Sequence, residues 1–492
     1  MFLIILFSII LLFIFHELYW KRRTFPPGPT PFPILGNLPA IFGSKAPGIE
    51  AFQDWSKVYG DVYTIWMGTE PTVVITSYKK LKETFVDDAE SYIDKKIFRG
   101  FNETMRGGDY GVIDTNGDVW REHRRFALHT LRDFGLGKEK LQDSILLEVD
   151  RMMHDLRNNK SDIDIQALFD VSIGNVINQF LFGKRFDNED QFHELKRLID
   201  LFFEVQGDMA TFLAYLIPWL PKKVVEWMTP TSIECRMGVF KFFESQIEEH
   251  RKEIDWDIVE NRDYVETYLR EQKKREKEEG DSESFNDMQL KNMCFDMWLA
   301  GMHTTTNTMG FMISYGIRFS DCQKRMQQEL TEVIGDRTVI MKDKLSLPYT
   351  NAFIQETQRY CNLIPINLTH ATTRSVNING FDIPKGTSVN HQVSSVLWDP
   401  EVYPEPSEFK PTRFLDNDGN LKKSDEFLPF SVGRRVCLGE GLAKMELFLF
   451  TANLFNRFEF LPGSRGLPSM DRDFSFISKN PAYTCTVRQR YL

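Results

Sequence analysis

Residues 430–439 read Phe-Ser-Val-Gly-Arg-Arg-Val-Cys-Leu-Gly, with one cysteine, Cys437, near the end of the stretch. The mostly apolar stretch 442–454 follows and predicts a helix that begins just after this cysteine. Backbone N–H groups at a helix start and nearby arginines both favour a thiolate over a thiol. We therefore predict that Cys437 is an anionic, soft metal ligand.

The residues around Cys437 suit a flat, carboxylate-bearing cofactor. Gly433 and Gly439 allow tight turns and close approach, and Arg435 can pair with a carboxylate. With Phe430, they fill every fixed position of the pattern Phe-x-x-Gly-x-Arg-x-Cys-x-Gly. The stretch resembles the haem-binding loop of the cytochrome P-450 monooxygenases. The alternative is a buried structural cysteine in a glycine-rich turn.

This resemblance implies a cofactor and roles for individual residues. The cofactor is haem b, iron protoporphyrin IX, and Cys437 is the axial ligand of its iron. Arg435 contacts a haem propionate, and Phe430 and Gly439 border the cofactor. A thiolate ligand pushes electron density toward bound oxygen and favours O–O cleavage.

Composition limits the class of protein. A chain of 492 residues that is 42% hydrophobic can bury a large core. The net charge of −10 argues against a nucleic-acid binder, which needs a basic face. The six cysteines form no CxxC pair and lack the close spacing of a disulfide scaffold, so we predict a reducing compartment.

The N-terminus predicts a membrane anchor. Residues 2–15 are apolar apart from Ser8, residues 18–20 extend the run, and a basic cluster, 21–23, follows. A cleavable signal peptide is the alternative, but there is no basic n-region and no small-residue cleavage site. We predict a transmembrane signal anchor over residues 1–20 in the endoplasmic reticulum membrane, with the catalytic domain cytoplasmic.

The remaining chain predicts one catalytic domain, 39–492, behind a basic and proline-rich hinge, 21–38. Residues 62–67 and 72–76 predict a hairpin, after which helical periodicity dominates. We predict a mainly α fold with small β-sheets, the cytochrome P-450 fold. The charge run at 271–283 predicts a solvated surface loop.

Trp120 and Arg124 are predicted to hold an anionic group. They lie four residues apart in a helical segment and therefore share one face. A solvated basic helix start is the alternative. The resemblance favours haem, because the family carries a Trp-x-x-x-Arg pair here that contacts a propionate. His370 matches another position from which family members contact a propionate.

A long apolar helix is predicted over residues 289–317. Its small residues Ala300 and Gly301 allow it to pass close over a flat ring, and the hydroxyl of Thr304 would lie beside bound oxygen. In the resemblance, an acid precedes this threonine and both help to deliver protons, but here His303 takes the acid's place. Either His303 relays protons in an adapted and weakened way, or it is a tolerated substitution that faces water.

Three residues are assigned a structural role by the resemblance. Glu356 and Arg359 match the family's Glu-x-x-Arg, and Arg413 matches the arginine of its Pro-x-Arg-Phe segment. Surface pairs at this spacing are common, so the assignment depends on the resemblance. It implies that the three hold the cysteine loop in place.

Four apolar residues are candidate substrate contacts: Ile364 and Leu368 after a helix end, and Phe476 and Ile477 in the C-terminal loop. The resemblance is closest to animal microsomal members. It implies a haem-thiolate monooxygenase that inserts one oxygen atom from O2 into an apolar substrate, a fatty acid, sterol or xenobiotic.

Electrons have to come from outside, because the chain lacks a Gly-x-Gly-x-x-Gly with a matching acid. The implied partners are an NADPH-dependent cytochrome P-450 reductase, cytochrome b5 as a further candidate, and the lipid bilayer. Two alternatives stay open: a haem-thiolate isomerase or dehydratase of lipid peroxides, and a non-catalytic, membrane-tethered haem binder.

Overall fold

A mainly helical body with small β-sheets is seen in the computed structural model, which confirms the predicted fold class. The described residues are 2–43, 50–134, 139–159, 161–186, 189–207, 211, 214–215, 217, 220–257, 262–280, 284–364, 367–471, 473–474 and 477–490. Phe476, a predicted substrate contact, lies outside these residues.

The α-helices form most of the body. They are α1 (Phe2–Phe15), α2 (Leu38–Phe42), α3 (Glu50–Tyr59), α4 (Tyr78–Leu81), α5 (Arg99–Phe101), α6 (Gly117–Asp133), α7 (Glu139–Asn158), α8 (Ile165–Phe182), α9 (Glu189–Gly207), α10 (Lys222–Met228), α11 (Pro230–Glu253), α12 (Tyr264–Glu279), α13 (Asp287–Arg318), α14 (Ser320–Val333), α15 (Pro348–Cys361), α16 (Val393–Leu397) and α17 (Glu440–Arg457).

Helix α13 is the central element. Asn286 caps its start by accepting a hydrogen bond from the backbone N–H of Gln289. The helix carries apolar and small residues on every face, so nearly all of it is buried, and it packs against α8, α15 and α17. The helices predicted at 289–317 and 442–454 are both confirmed, as parts of α13 and α17.

The strands are short and form small sheets. They are β1 (Val62–Met67), β2 (Glu70–Ile75), β3 (Asp94–Lys95), β4 (His370–Ala371), β5 (Val376–Ile378), β6 (Phe381–Ile383), β7 (Ser388–His391), β8 (Phe458–Pro462), β9 (Asp473–Phe474), β10 (Ser478–Lys479) and β11 (Cys485–Gln489).

The largest sheet has the order β1-β2-β7-β4-β3. Its first two strands are the predicted hairpin, with Val62 opposite Ile75. At the other edge, antiparallel pairing of β3 with β4 places Lys95 opposite His370, although 275 residues separate them in the chain. This edge brings part of the candidate site together.

The N-terminal segment is helical as far as Thr24. Beyond α1 the chain continues through the turns His16–Trp20 and Lys21–Thr24. None of the helices in the described part of the chain has the length and apolar character to cross a bilayer. The anchor over residues 1–20 stays a prediction.

The proline-rich hinge lies against the first hairpin. Lys21 Nζ donates to the Thr69 carbonyl at 2.6 Å, and the backbone N–H of Thr64 donates to the Pro27 carbonyl at 3.3 Å. Asn37 exchanges hydrogen bonds with the backbone of Trp66. These contacts hold residues 21–37 against the hairpin of β1 and β2. The domain boundaries stay a prediction.

The charge run does not form the predicted surface loop in its described part. Residues 271–279 are the last turns of α12, which Asp263 caps by accepting from the Glu266 N–H at 2.8 Å. Ion pairs at i,i+4 spacing explain the difference, since Arg275 contacts Glu271 and Arg270 contacts Glu266 along the helix. Residues 281–283 lie outside the described part.

Candidate active site

The cysteine loop is shaped by short-range contacts. Cys437 N donates to the Phe430 carbonyl at 3.0 Å, and Val436 N donates to the Gly433 carbonyl at 3.1 Å. Gly433 has a φ of +82°, and a Cβ there would lie 2.2 Å from the Phe85 carbonyl oxygen, so the position requires glycine. By contrast, Gly439 faces open space.

Cys437 is exposed, in contrast to most of the other cysteines of the chain, which are buried. Desolvation by the surrounding protein raises the pKa of this thiol. The N–H groups of Gly439 and Glu440 and the charge of Arg124 act in the opposite direction but do not outweigh it. That Cys437 is an anionic metal ligand stays a prediction, and a bound metal cation would favour its thiolate.

Helix α13 exposes a narrow strip in its middle. Ala300 is exposed, and Gly301 and Thr304 are partly so, whereas almost all neighbouring residues of the helix are buried. Ala300 and Thr304 lie on one face, and Thr304 Oγ1 donates to the Ala300 carbonyl at 2.5 Å. Small residues and one hydroxyl thus form the accessible part in the middle of this helix.

A cationic cluster adjoins the cysteine loop and consists of Lys95, Trp120, Arg124, His370 and Arg435. The guanidinium of Arg435 stacks on the Trp120 ring at 3.7 Å, and Arg124 Nη2 donates to the carbonyl of Val436, next to Cys437, at 2.5 Å. Burial and the charge of Arg124 lower the pKa of Arg435 to about 9.

The other side of this cluster is formed by β3 and β4. His370 Nδ1 donates to the Tyr92 carbonyl at 2.7 Å, which leaves Nε2 to accept from Lys95 Nζ at 2.8 Å. Burial and the charge of Arg435 lower the pKa of Lys95 to about 7. Burial and the charge of Lys95 lower the pKa of His370 well below its ordinary range.

Asn116 links the two sides of the cluster. Its Oδ1 accepts from Arg435 Nη2 at 2.9 Å and from the Lys95 N–H at 2.7 Å. Its amide group also donates to the Lys95 carbonyl at 2.9 Å. One side chain at the start of α6 therefore links the Arg435 guanidinium to the backbone of β3.

The cluster fits the carboxylates of a haem. Three buried or partly buried cations disfavour one another, a cost that nearby anions remove. In the described part of the chain, the buried Nε1 of Trp120 has no hydrogen-bond acceptor. A haem would require a sulfur ligand, a flat apolar contact and an anion site, for which Cys437, the accessible strip of α13 and the cluster are the candidates.

Glu356, Arg359 and Arg413 form a buried network. Arg359 Nε lies 2.7 Å from Glu356 Oε2, and Arg413 Nε lies 3.0 Å from Glu356 Oε1. Glu356 and Arg359 are fully buried. The network joins α15 to the turn Pro411–Phe414, and Phe414 contacts Phe427, three residues before Phe430. That it holds the cysteine loop stays a prediction.

The candidate substrate contacts differ in exposure. Ile364 is half-buried, Leu368 is 37% exposed and Ile477 is 3% exposed. The Leu368 carbonyl accepts a hydrogen bond from Lys95 Nζ at 3.0 Å, so this backbone segment borders the cationic cluster. Their contact with a substrate stays a prediction.

His303 is buried, with 4% of its surface exposed, so the water-facing alternative is wrong. Its Nε2 lies 2.7 Å from Asp200 Oδ1 on α9. The sequence analysis missed Asp200, Lys95 and Asn116, because each belongs to a distant segment and carries no local motif.

Comparisons with known proteins agree with this geometry. The family model described as Cytochrome P450 matches residues 26–487. Cytochrome P450 2C20 of Macaca fascicularis is 34% identical, with 98% of this chain and 97% of that protein aligned. Cytochrome P450 2C28 of Mesocricetus auratus is 36% identical over 93% and 92%. Cytochrome P450 2C8 of Homo sapiens is 34% identical over 93% and 92%.

Fold, site and similarity define an oxidoreductase with a haem cofactor. The chain belongs to the cytochrome P450 family and is a cytochrome P450 monooxygenase.

Proposed function

We propose that this monooxygenase inserts one oxygen atom from O2 into an apolar substrate, a fatty acid, sterol or xenobiotic. The other oxygen atom leaves as water, so each turnover consumes two electrons and two protons. The observation that carries the proposal is the accessible Cys437 thiol together with the strip of Ala300 and Thr304, in a helix that is otherwise almost entirely buried.

The proposed cofactor is haem b, which has two propionates and a flat apolar ring. Cys437 would ligate its iron, and Lys95, Trp120, Arg124, His370 and Arg435 would hold the propionates. Phe430 and Gly439 would border the ring on the cysteine side. When bound, the haem supplies the reductive activation of dioxygen.

The chain's own residues position the reaction and exclude water. Thr304 presents a hydroxyl on the accessible strip, and this hydroxyl would have to turn away from the Ala300 carbonyl, to which it donates in this structure, in order to donate toward oxygen. Gly301 lets α13 pass close to its neighbours, since a Cβ there would lie 2.7 Å from the Ile177 side chain. Ile364, Leu368, Phe476 and Ile477 are proposed to contact the apolar substrate.

Electrons are proposed to come from an NADPH-dependent flavoprotein reductase, with cytochrome b5 as a second donor. Arg121 and Arg125 are exposed on α6, the helix that carries Arg124 beside the cysteine loop. Exposed cations at this face suit an acidic redox partner. The proposed location is the endoplasmic reticulum membrane, with residues 1–20 as anchor and the body on the cytoplasmic side.

The first experiment is the visible spectrum of the purified, dithionite-reduced protein with carbon monoxide. A strongly red-shifted Soret band is expected for a thiolate-ligated haem. A histidine-type carbonyl spectrum, or no haem, would remove the roles given to Cys437 and the cluster.

The second experiment measures NADPH consumption with added reductase over a panel of fatty acids, sterols and xenobiotics. Product formed in step with NADPH consumption is expected. Conversion of a lipid peroxide without reductase would favour the isomerase or dehydratase alternative, and absence of any turnover would favour a haem binder.

A further inference from the structure

His303 forms a pair with an acid from another helix. It occupies the position at which the sequence pattern calls for an acid before Thr304. Its Nε2 contacts Asp200 Oδ1 at 2.7 Å, and its ring packs on Phe203 at 4.6 Å between centroids. A carboxylate therefore lies beside this position, on Asp200 of α9.

Asp200 reaches the protein surface. Its side chain is 33% exposed, whereas that of His303 is 5% exposed. It borders a surface depression lined by His193, Lys196, Arg197, Asp200, Leu201 and Glu204. The pair therefore runs from solvent to the buried side of α13.

The inner end of the pair is a polar atom without a partner. In the described residues, Nδ1 of His303 is buried and makes no hydrogen bond. The next residue, Thr304, belongs to the accessible strip with Ala300. A buried nitrogen without a partner calls for an explanation beyond packing.

Two further charged residues, Lys196 and Asp170, lie close to the pair. Lys196 on α9 contacts Asp200 at 2.5 Å and Asp170 of α8 at 3.4 Å. Burial raises the pKa of Asp170. Burial acts the same way on Asp200, but hydrogen bonds from His303 and Lys196 outweigh it and lower the pKa of Asp200 to about 2. Asp200 is therefore anionic at neutral pH.

We propose that Asp200 is a positioning residue that holds the imidazole of His303 for proton delivery beside Thr304, in place of the acid of the usual pattern. One proton leaves Nδ1 of the protonated ring while Nε2–H stays hydrogen-bonded to Asp200. A proton from solvent then restores Nδ1–H, so the net charge of the pair is unchanged after each transfer. Two such transfers supply the two protons of one turnover. The proposal rests on the monooxygenase function proposed above.

The first test removes the charge of Asp200. In Asp200→Asn, the fraction of reducing equivalents released as hydrogen peroxide is expected to rise at least threefold, with the carbon monoxide spectrum unchanged. Asp200→Glu is expected to restore most of the product, which a merely structural role would not require. Glu204→Gln is the matched control, because Glu204 borders the same depression and should leave the ratio of product to peroxide unchanged.

The second test exchanges the charges of the pair and adds unfolding temperature as a readout besides activity. His303→Glu would place two carboxylates face to face and is expected to lower the unfolding temperature of the haem-bound protein. The double variant His303→Glu/Asp200→Lys is expected to recover at least half of that loss and to lower the peroxide fraction again. A double-mutant cycle of the four proteins measures the coupling.

The outcomes separate the possible failures. If wild type forms product and Asp200→Asn keeps its ratio of product to peroxide, the proposed role is overturned. If the unfolding cycle shows coupling without any change in peroxide, the pair is structural only, which also overturns it. If wild type forms no product with NADPH and reductase, the proposed function itself fails, and the cycle still tests whether the pair is coupled.

Discussion

The cysteine loop and the cationic cluster are built in different ways, although both are assigned to one cofactor. The loop takes its shape from hydrogen bonds between residues a few positions apart, such as Cys437 to Phe430. The cluster draws its members from β3, α6, β4 and the loop itself. A site built from consecutive residues can be predicted from a sequence motif. For a site assembled from distant segments, a motif predicts only some of the members.

The largest effect is expected at the loop's ligand. Cys437→Ser removes the sulfur that defines a thiolate-ligated haem, so the red-shifted carbon monoxide band should be absent and product formation should fall to background. Spectra of the two purified proteins, with haem content measured in parallel, test this. A red-shifted band in the variant would contradict the assignment of Cys437.

The second effect concerns the network proposed to support the loop. Glu356→Ala leaves Arg359 buried without its counter-charge, so the free energy of unfolding should fall by about 3–5 kcal/mol and haem retention should fall with it. Chemical denaturation measures both changes. Asp54→Ala is the control, because Asp54 and its partner Lys57 form an exposed ion pair. This variant should lower the free energy of unfolding by less than about 1 kcal/mol. Equal losses of stability in the two variants would show that the buried network contributes no more to folding than an exposed ion pair.

The third prediction separates backbone strain from a close contact within the loop. Gly433→Ala should lower the free energy of unfolding by more than about 2 kcal/mol, since both a positive φ and the Phe85 carbonyl oppose a side chain. Gly386→Ala is the matched control, with a φ of +81° and open space around it. If the two variants lose equal stability, the contact with Phe85 contributes nothing.

The last prediction tests the cluster through pH, and its effect on stability per pH unit is the smallest of the four. Burial lowers the pKa of Lys95 to about 7 in the fold, below its ordinary value of 10.5. Between these values the unfolded chain binds more protons, so this residue makes haem-free protein more stable as pH rises through the window, by at most about 1.4 kcal/mol per pH unit.

Lys95→Met should remove that contribution, so its unfolding free energy should rise less steeply with pH than that of wild type. Urea titrations at several pH values from 7 to 10 measure the difference. With haem bound, propionates would keep Lys95 charged, and the two slopes should converge. Slopes that already coincide without haem would contradict the burial of a titrating Lys95.

The hairpin, α13, α17 and the cysteine loop were predictable because each is a local pattern. The loop predicted from the charge run was wrong for residues 271–279, which are helical. Composition shows that the run is highly charged, but not that ion pairs along α12 stabilise a helix there. Asp200 was not predictable, since nothing near it in sequence indicates that α9 meets α13 at His303.

The sequence by itself determined the fold class, the family and the identity of Cys437 as candidate ligand, because periodicity and turn residues act over short distances. Only the tertiary structure decided which charges meet: Lys95 with His370, Arg435 with Trp120, and Asp200 with His303. The physical reason is that electrostatic interactions depend on distance in space and on burial, and packing between distant segments sets both.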